Sequence, residues 1–139
     1  MGLTIICGVG VFFMSARLYD YFFSFVAWLQ ALLVGLVGVT IADYILLRNF
    51  RLNLAALYDV DATGAYYFWH RVNYAALVAL AVGAVVYVML LNPMTLESAK
   101  IFKYTSASIP ALLASMVTHV VLTRLIVIPA GKGGYSREV

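Results

Sequence analysis

Asp43 is the single acid in an apolar run from Tyr21 to Leu47, and Tyr44, Arg48 and Arg51 follow it closely. A charge inside an apolar segment is costly unless it is paired or wetted. Two chemistries therefore compete for this residue. One is a carboxylate that takes up and releases a proton or a cation. The other is structural: an interfacial acid about one turn from Arg48, paired with a neighbouring cation or capping a nearby helix. Asp43 sits only four residues from the end of the run, and so shallow a position favours the structural role.

His119 is the second candidate, near the middle of the run Thr105–Ile128. An ionisable group at such depth is a functional hypothesis in its own right. The less costly alternative is a neutral ring hydrogen-bonded to a helix carbonyl, with Ser115 and Thr118 close by. Arg124, near the end of the same run, can extend its guanidinium to the interface. His70 and Glu97 fall in loops on opposite sides. The lone Cys7 provides neither a disulfide framework nor a cysteine metal site. No activated serine, phosphate-binding glycine loop, acid–base pair at one depth or metal-ligand cluster is visible. The expectation is a protein that is not an enzyme, has no catalytic or metal residues and needs no cofactor.

The elements that must position Asp43 and His119 are membrane helices. The 139 residues are 65% hydrophobic and 11% charged, against about a quarter charged in soluble domains. A bilayer core needs roughly 20 apolar residues of helix, and 21–47, 74–91 and 105–128 supply them. The expected fold is all-α and integral to the membrane, with three full transmembrane helices. Residues 1–16 add a truncated N-terminal helix, without the basic start or small-x-small site of a signal peptide. A short connector at 15–20 separates it from the second segment. Residues 48–73 form a loop in which Leu52–Tyr58 reads as an amphipathic turn, closed by Asp59, Asp61 and Gly64. Residues 129–139 form a flexible tail, begun by Pro129 and the glycines from Gly131 to Gly134.

Each long segment carries small residues four apart: Ala31 and Gly35, Gly38 and Ala42; Ala75, Ala79 and Gly83; Ala107, Ala111 and Ser115. Lipid offers no hydrophobic drive between helices, so close packing at small residues holds them together. If the runs alternate, Arg48, Arg51, Arg71, Arg124, Lys132 and Arg137 share one side, and Arg17, Lys100 and Lys103 the other. The positive-inside rule makes the first side cytoplasmic. The C-terminus is then inside, and the net charge of +3 marks span ends rather than a nucleic-acid surface.

One stretch is more specific than composition. Gly38-Val39, Ile41-Ala42-Asp43-Tyr44, Leu46 and Arg48 are followed by Arg51-Leu52-Asn53-Leu54, Leu57-Tyr58, Tyr66-Tyr67, Val72-Asn73-Tyr74 and Ala76-Leu77. From about Gly35 to Leu77 this order resembles the C-terminal portion of nucleobase–cation symporters, the permeases of cytosine, purines, allantoin, hydantoins and thiamine precursors. Tyr74 stands where that family often has tryptophan, and Phe68-Trp69-His70-Arg71 departs from its glycine-rich loop.

The resemblance implies the last helices of a leucine-transporter-type fold: the end of the ninth, then the tenth, eleventh and twelfth. It also implies a cytoplasmic C-terminus in the cell membrane. Coupling to sodium or protons, and a small heterocyclic substrate, would belong to upstream helices not contained here, so the chain alone would be inactive. Phe22, Phe25 and Leu29 would form a face of the extracellular gate, with the bend at Gly35 and Gly38. The rival is a small free-standing membrane protein, an accessory subunit or helical oligomer.

Overall fold

The computed structural model describes residues 2–51, 66–99 and 106–135, and every regular element among them is helical. Helix α1 runs Gly2–Ile41 and continues directly into a π-helical turn, Ala42–Leu47. A short 3-10 turn, Trp69–Arg71, precedes α2, Tyr74–Leu90. Helix α3, Ser108–Leu122, also ends in a π turn, Thr123–Val127. Two segments, Tyr21–Leu47 and Ser108–Val127, are long and apolar enough to cross a bilayer, while Tyr74–Leu90 is apolar but shorter. At about 1.5 Å per residue, α2 reaches roughly 25 Å.

The connector expected at 15–20 is helical. Ser15-Ala16-Arg17-Leu18-Tyr19-Asp20 contains neither proline nor glycine, and alanine, arginine and leucine are good helix formers. Polarity alone does not end a helix. The truncated first helix and the second segment are thus one rod of 40 residues before the π turn. The amphipathic turn at 52–58 and its closing residues up to Gly64 lie outside the described residues.

The starts of α2 and α3 follow local rules. Asn73 caps α2, its side chain accepting from the Ala76 N–H at 3.2 Å, which satisfies an otherwise orphaned donor. Pro110 lies in the first turn of α3, where its missing N–H is not needed. Between α2 and α3, Asn92 accepts from the Met94 and Thr95 N–H groups and turns the chain back.

The three helices pack against one another in pairs, and the seam consists of the small residues expected. Ala27, Ala31 and Ala42 of α1 and its π turn, Ala75 and Ala79 of α2, and Ala111 of α3 with Ala107 just before it are buried. A Cβ on Gly83 would lie 2.9 Å from Ser115 Cβ and 3.1 Å from Gly35 Cα; one on Gly38 would lie 2.8 Å from the Leu112 carbonyl oxygen. Only a hydrogen side chain permits these approaches. Apart from Tyr87 and Val127, which are buried, many of the large apolar groups, among them Phe22, Trp28, Leu32, Leu36, Leu77, Val85, Leu113 and Leu125, are exposed. Small residues inside and large apolar ones outside suit a lipid surround rather than water.

Candidate functional site

Asp43 lies in the π turn that ends α1, where the Arg48 N–H donates to the Asp43 carbonyl oxygen five residues back, at 3.0 Å. Carbonyls gathered at a helix C-terminus create a negative field, so an acid there needs a cation. Arg48 provides it: its Nε donates to Asp43 Oδ2 at 2.8 Å, and its Nη2 donates to the Gly133 carbonyl oxygen at 3.1 Å. The guanidinium carbon stands 4.6 Å from the Tyr66 ring centre and 4.4 Å from that of Tyr135. Two aromatic faces flank one cation, a favourable arrangement. The Tyr135 hydroxyl completes the group by donating to Asp43 Oδ1.

Tyr135 reaches α1 because the chain reverses after Pro129. Gly131, Gly133 and Gly134 have φ of 64°, 74° and 70°, a region that costs other residues strain. The Gly133 N–H donates to the Tyr67 carbonyl oxygen at 3.4 Å, and Lys132 Nζ lies 5.4 Å from the Tyr67 ring centre. The flexible tail expected from 129 is instead docked as far as Tyr135; residues 136–139 lie outside the described residues. The glycines do not loosen this segment. They allow the left-handed turns that bring Tyr135 back.

His119 is fully buried because it continues the small-residue stripe of α3: Ala107, Ala111, Ser115, His119, Thr123 and Val127 are four apart and all buried. This places its Nε2 3.6 Å from Asp43 Oδ1, beyond hydrogen-bond length. Among the described residues neither ring nitrogen has a hydrogen-bond partner. The carbonyl bond expected for His119 is therefore not made, and the Ser115 hydroxyl donates instead to the Leu112 carbonyl oxygen at 2.9 Å. A cavity of about 320 Å³ adjoins the pair, lined by Val39, Thr40, Asp43, Tyr44, Asn73 and His119.

The electrostatics are those of a compensated charge. The Arg48 side chain is 8% exposed and that of Asp43 29%, so the cation is the more deeply held partner. Burial, followed by the bond to Asp43, raises the Tyr135 phenol above the usual tyrosine range. Burial of Arg48 opposes its charge, but the hydrogen bond and attraction to Asp43 outweigh it and raise the guanidinium further. With Oδ2 taken by Arg48 and Oδ1 by Tyr135, Asp43 acts as the centre of a clasp. It joins α1, the segment at 66–67 and the C-terminal turn.

Sequence reasoning identified Asp43, its pairing with Arg48, and His119 as separate features. It missed that Asp43 and His119 share one depth, and it missed Tyr66 and Tyr135. The four-residue stripe could have revealed the first, had it been extended past Ser115. Phe22, Phe25 and Leu29 are exposed on α1. Leu29 borders an apolar cavity of about 290 Å³ with Val26, Leu33, Val37 and Leu112. Gly35 and Gly38, assigned to a bend, lie inside the uninterrupted α1 at the points of closest helix approach.

The chain matches the family described as permease for cytosine/purines, uracil, thiamine and allantoin over residues 2–127. It is similar to the purine-uracil permease NCS1 of Arabidopsis thaliana, with 38% identity over 81 residues, covering 55% of this chain and 14% of that protein. The chain thus corresponds to a small part of the relative's length. No solved structure matches it.

Proposed function

This chain belongs to the family of permeases for cytosine/purines, uracil, thiamine and allantoin, and from that premise we propose that it forms the C-terminal helices of a secondary transporter for a nucleobase or related heterocycle. The observation that carries the proposal is the family match across 2–127, which includes both long apolar segments and the Asp43 end of α1. In this reading Tyr21–Leu47, Tyr74–Leu90 and Ser108–Val127 all cross the membrane, α2 by lying where the bilayer thins to meet it. The cationic ends near Arg48, Arg124 and Lys132 face the cytoplasm, together with the C-terminus.

Substrate and coupling cation, sodium or proton, are then held by helices that precede this region, near the membrane midplane as in transporters of inverted-repeat architecture. The chain alone does not transport. Its contribution is a scaffold, with the exposed Phe22–Leu29 face of α1 supplying a gate surface toward the preceding helices. The clasp at Asp43 fastens the C-terminal end of that helix to the C-terminal turn.

A segment exchange tests this. The 81-residue stretch of this chain that aligns with the Arabidopsis relative replaces its counterpart there, and uptake of radiolabelled uracil and purines is measured in cells lacking their own uptake. Uptake by the exchanged protein, with none by the 139-residue chain alone, is the expected result. An exchanged protein that reaches the membrane in normal amount yet takes up nothing would overturn the proposal.

A further inference from the structure

We propose that the cavity at the C-terminal end of α1 is a binding site for a phosphate-bearing anion, and that an anionic phospholipid headgroup is its natural source. The inference stands apart from the transport reading. The cavity measures about 460 Å³ and is bordered by Arg48, Asn49, Arg51, Tyr66, Gly134 and Tyr135. Among the described residues its lining includes two arginines and no acidic residue.

Arg48 is held in place by its bonds to Asp43 Oδ2 and the Gly133 carbonyl oxygen, and by the tyrosine rings on either side. Those two bonds occupy Nε and one Nη2 hydrogen, whereas a guanidinium carries five donors. Arg51 is brought alongside by its N–H, which donates to the Arg48 carbonyl oxygen at 2.9 Å. Its side chain is exposed, and its charge is additional to the one that Asp43 offsets. A stacked arginine held by two hydrogen bonds, beside an exposed one, matches the planar recognition of phosphate oxygens.

Position identifies the source. The site begins where the apolar segment Tyr21–Leu47 stops, the level at which headgroups meet basic side chains. Directly beside it, Tyr44, Ile45, Leu46 and Phe50 are exposed apolar groups, with Tyr44 and Phe50 edge to face at 5.2 Å. That surface provides a track for an acyl chain whose headgroup lies in the cavity.

The test uses the full chain purified in neutral detergent, with its unfolding temperature followed against added ligand. Short-chain phosphatidylglycerol, the matching phosphatidylcholine and inorganic phosphate are titrated in parallel. The expected result is a saturable rise with phosphatidylglycerol and little with phosphatidylcholine. Arg51→Gln should weaken that response about fivefold, the worth of one basic residue near an anionic surface. Arg124→Gln removes an exposed charge that does not border the cavity and should leave the affinity unchanged. Saturation by inorganic phosphate alone, sensitive to Arg51→Gln, keeps the anion site and makes free phosphate the source. Equal binding of both lipids, or equal weakening by Arg51→Gln and Arg124→Gln, overturns the proposal in favour of general surface attraction.

Discussion

Replacing Asp43 by alanine should unfasten the C-terminal turn from α1. The substitution removes the acceptor of two donors at once, Arg48 Nε and the Tyr135 hydroxyl. Breaking one side of a fully buried ion pair costs about 3–5 kcal/mol. Here the stranded Arg48 side chain is 8% exposed, but Asp43 itself is 29% exposed, so water enters the space left behind. The expected loss is therefore about 2–3 kcal/mol. Asp43→Asn keeps an acceptor without its charge and should lose about 1–2 kcal/mol. Tyr135→Phe removes one hydrogen bond to a charged group and should lose about 1.5 kcal/mol. In the double variant Asp43→Ala/Tyr135→Phe the losses should fall short of their sum by about 1 kcal/mol, since the two residues share one bond. The measurement is unfolding of the full chain in mixed micelles of neutral and anionic detergent, followed by the fluorescence of Trp69, three residues after Tyr66 in sequence, with Trp28 in the middle of α1 as a reference. If Asp43→Ala costs under about 0.5 kcal/mol, or if the two losses simply add, the clasp does not hold the turn.

Three further substitutions probe the seam and the turn. Gly38→Ala places a Cβ 1.9 Å from Ser115 Oγ and 2.8 Å from the Leu112 carbonyl oxygen, and should lose about 2–3 kcal/mol by overpacking. Adding Ser115→Ala should recover only part of this, because the Leu112 backbone remains; full recovery would contradict the packing described. Gly133→Ala sets a side chain at φ 74°, 2.7 Å from ring atoms of Phe68 and Tyr135, and should speed tryptic cleavage after Lys132 severalfold; an unchanged rate would mean the turn is not needed for docking. His119→Leu replaces a buried ring whose nitrogens lack partners among the described residues, so stability in the same micelle assay should stay within about 1 kcal/mol or rise. A loss above about 2 kcal/mol would show that His119 works as a charged partner of Asp43.

The helices were legible because their causes are local. Apolar runs set their lengths, Asn73 and Pro110 mark two starts, and small residues four apart mark the faces that meet. The continuity of α1 was misread for an equally local reason. Arg17 and Asp20 bring charge to the connector expected at 15–20, yet a helix is ended by lost hydrogen bonds or strained dihedrals, and neither proline nor glycine from Ser15 to Asp20 imposes either. Charge predicts where a helix leaves lipid, not where it stops.

The site divides along the same line. Asp43 and Arg48 are five residues apart, and spacing alone suggested their bond. Tyr135 lies 92 residues from Asp43 and the Gly133 carbonyl 85 from Arg48, and those contacts exist only because three glycines take left-handed conformations. A glycine cluster in a sequence is equally consistent with a loose tail and with a tight reversal. What decides between them is whether the next residue finds a partner. Here an acid placed against the negative end of its own helix demands compensation, and Arg48 alone leaves Oδ1 unmet. The demand of Asp43 thus gives Tyr135 a partner, and with the bond of Arg48 to the Gly133 carbonyl oxygen and that of the Gly133 N–H to Tyr67 it holds the turn that the glycines permit.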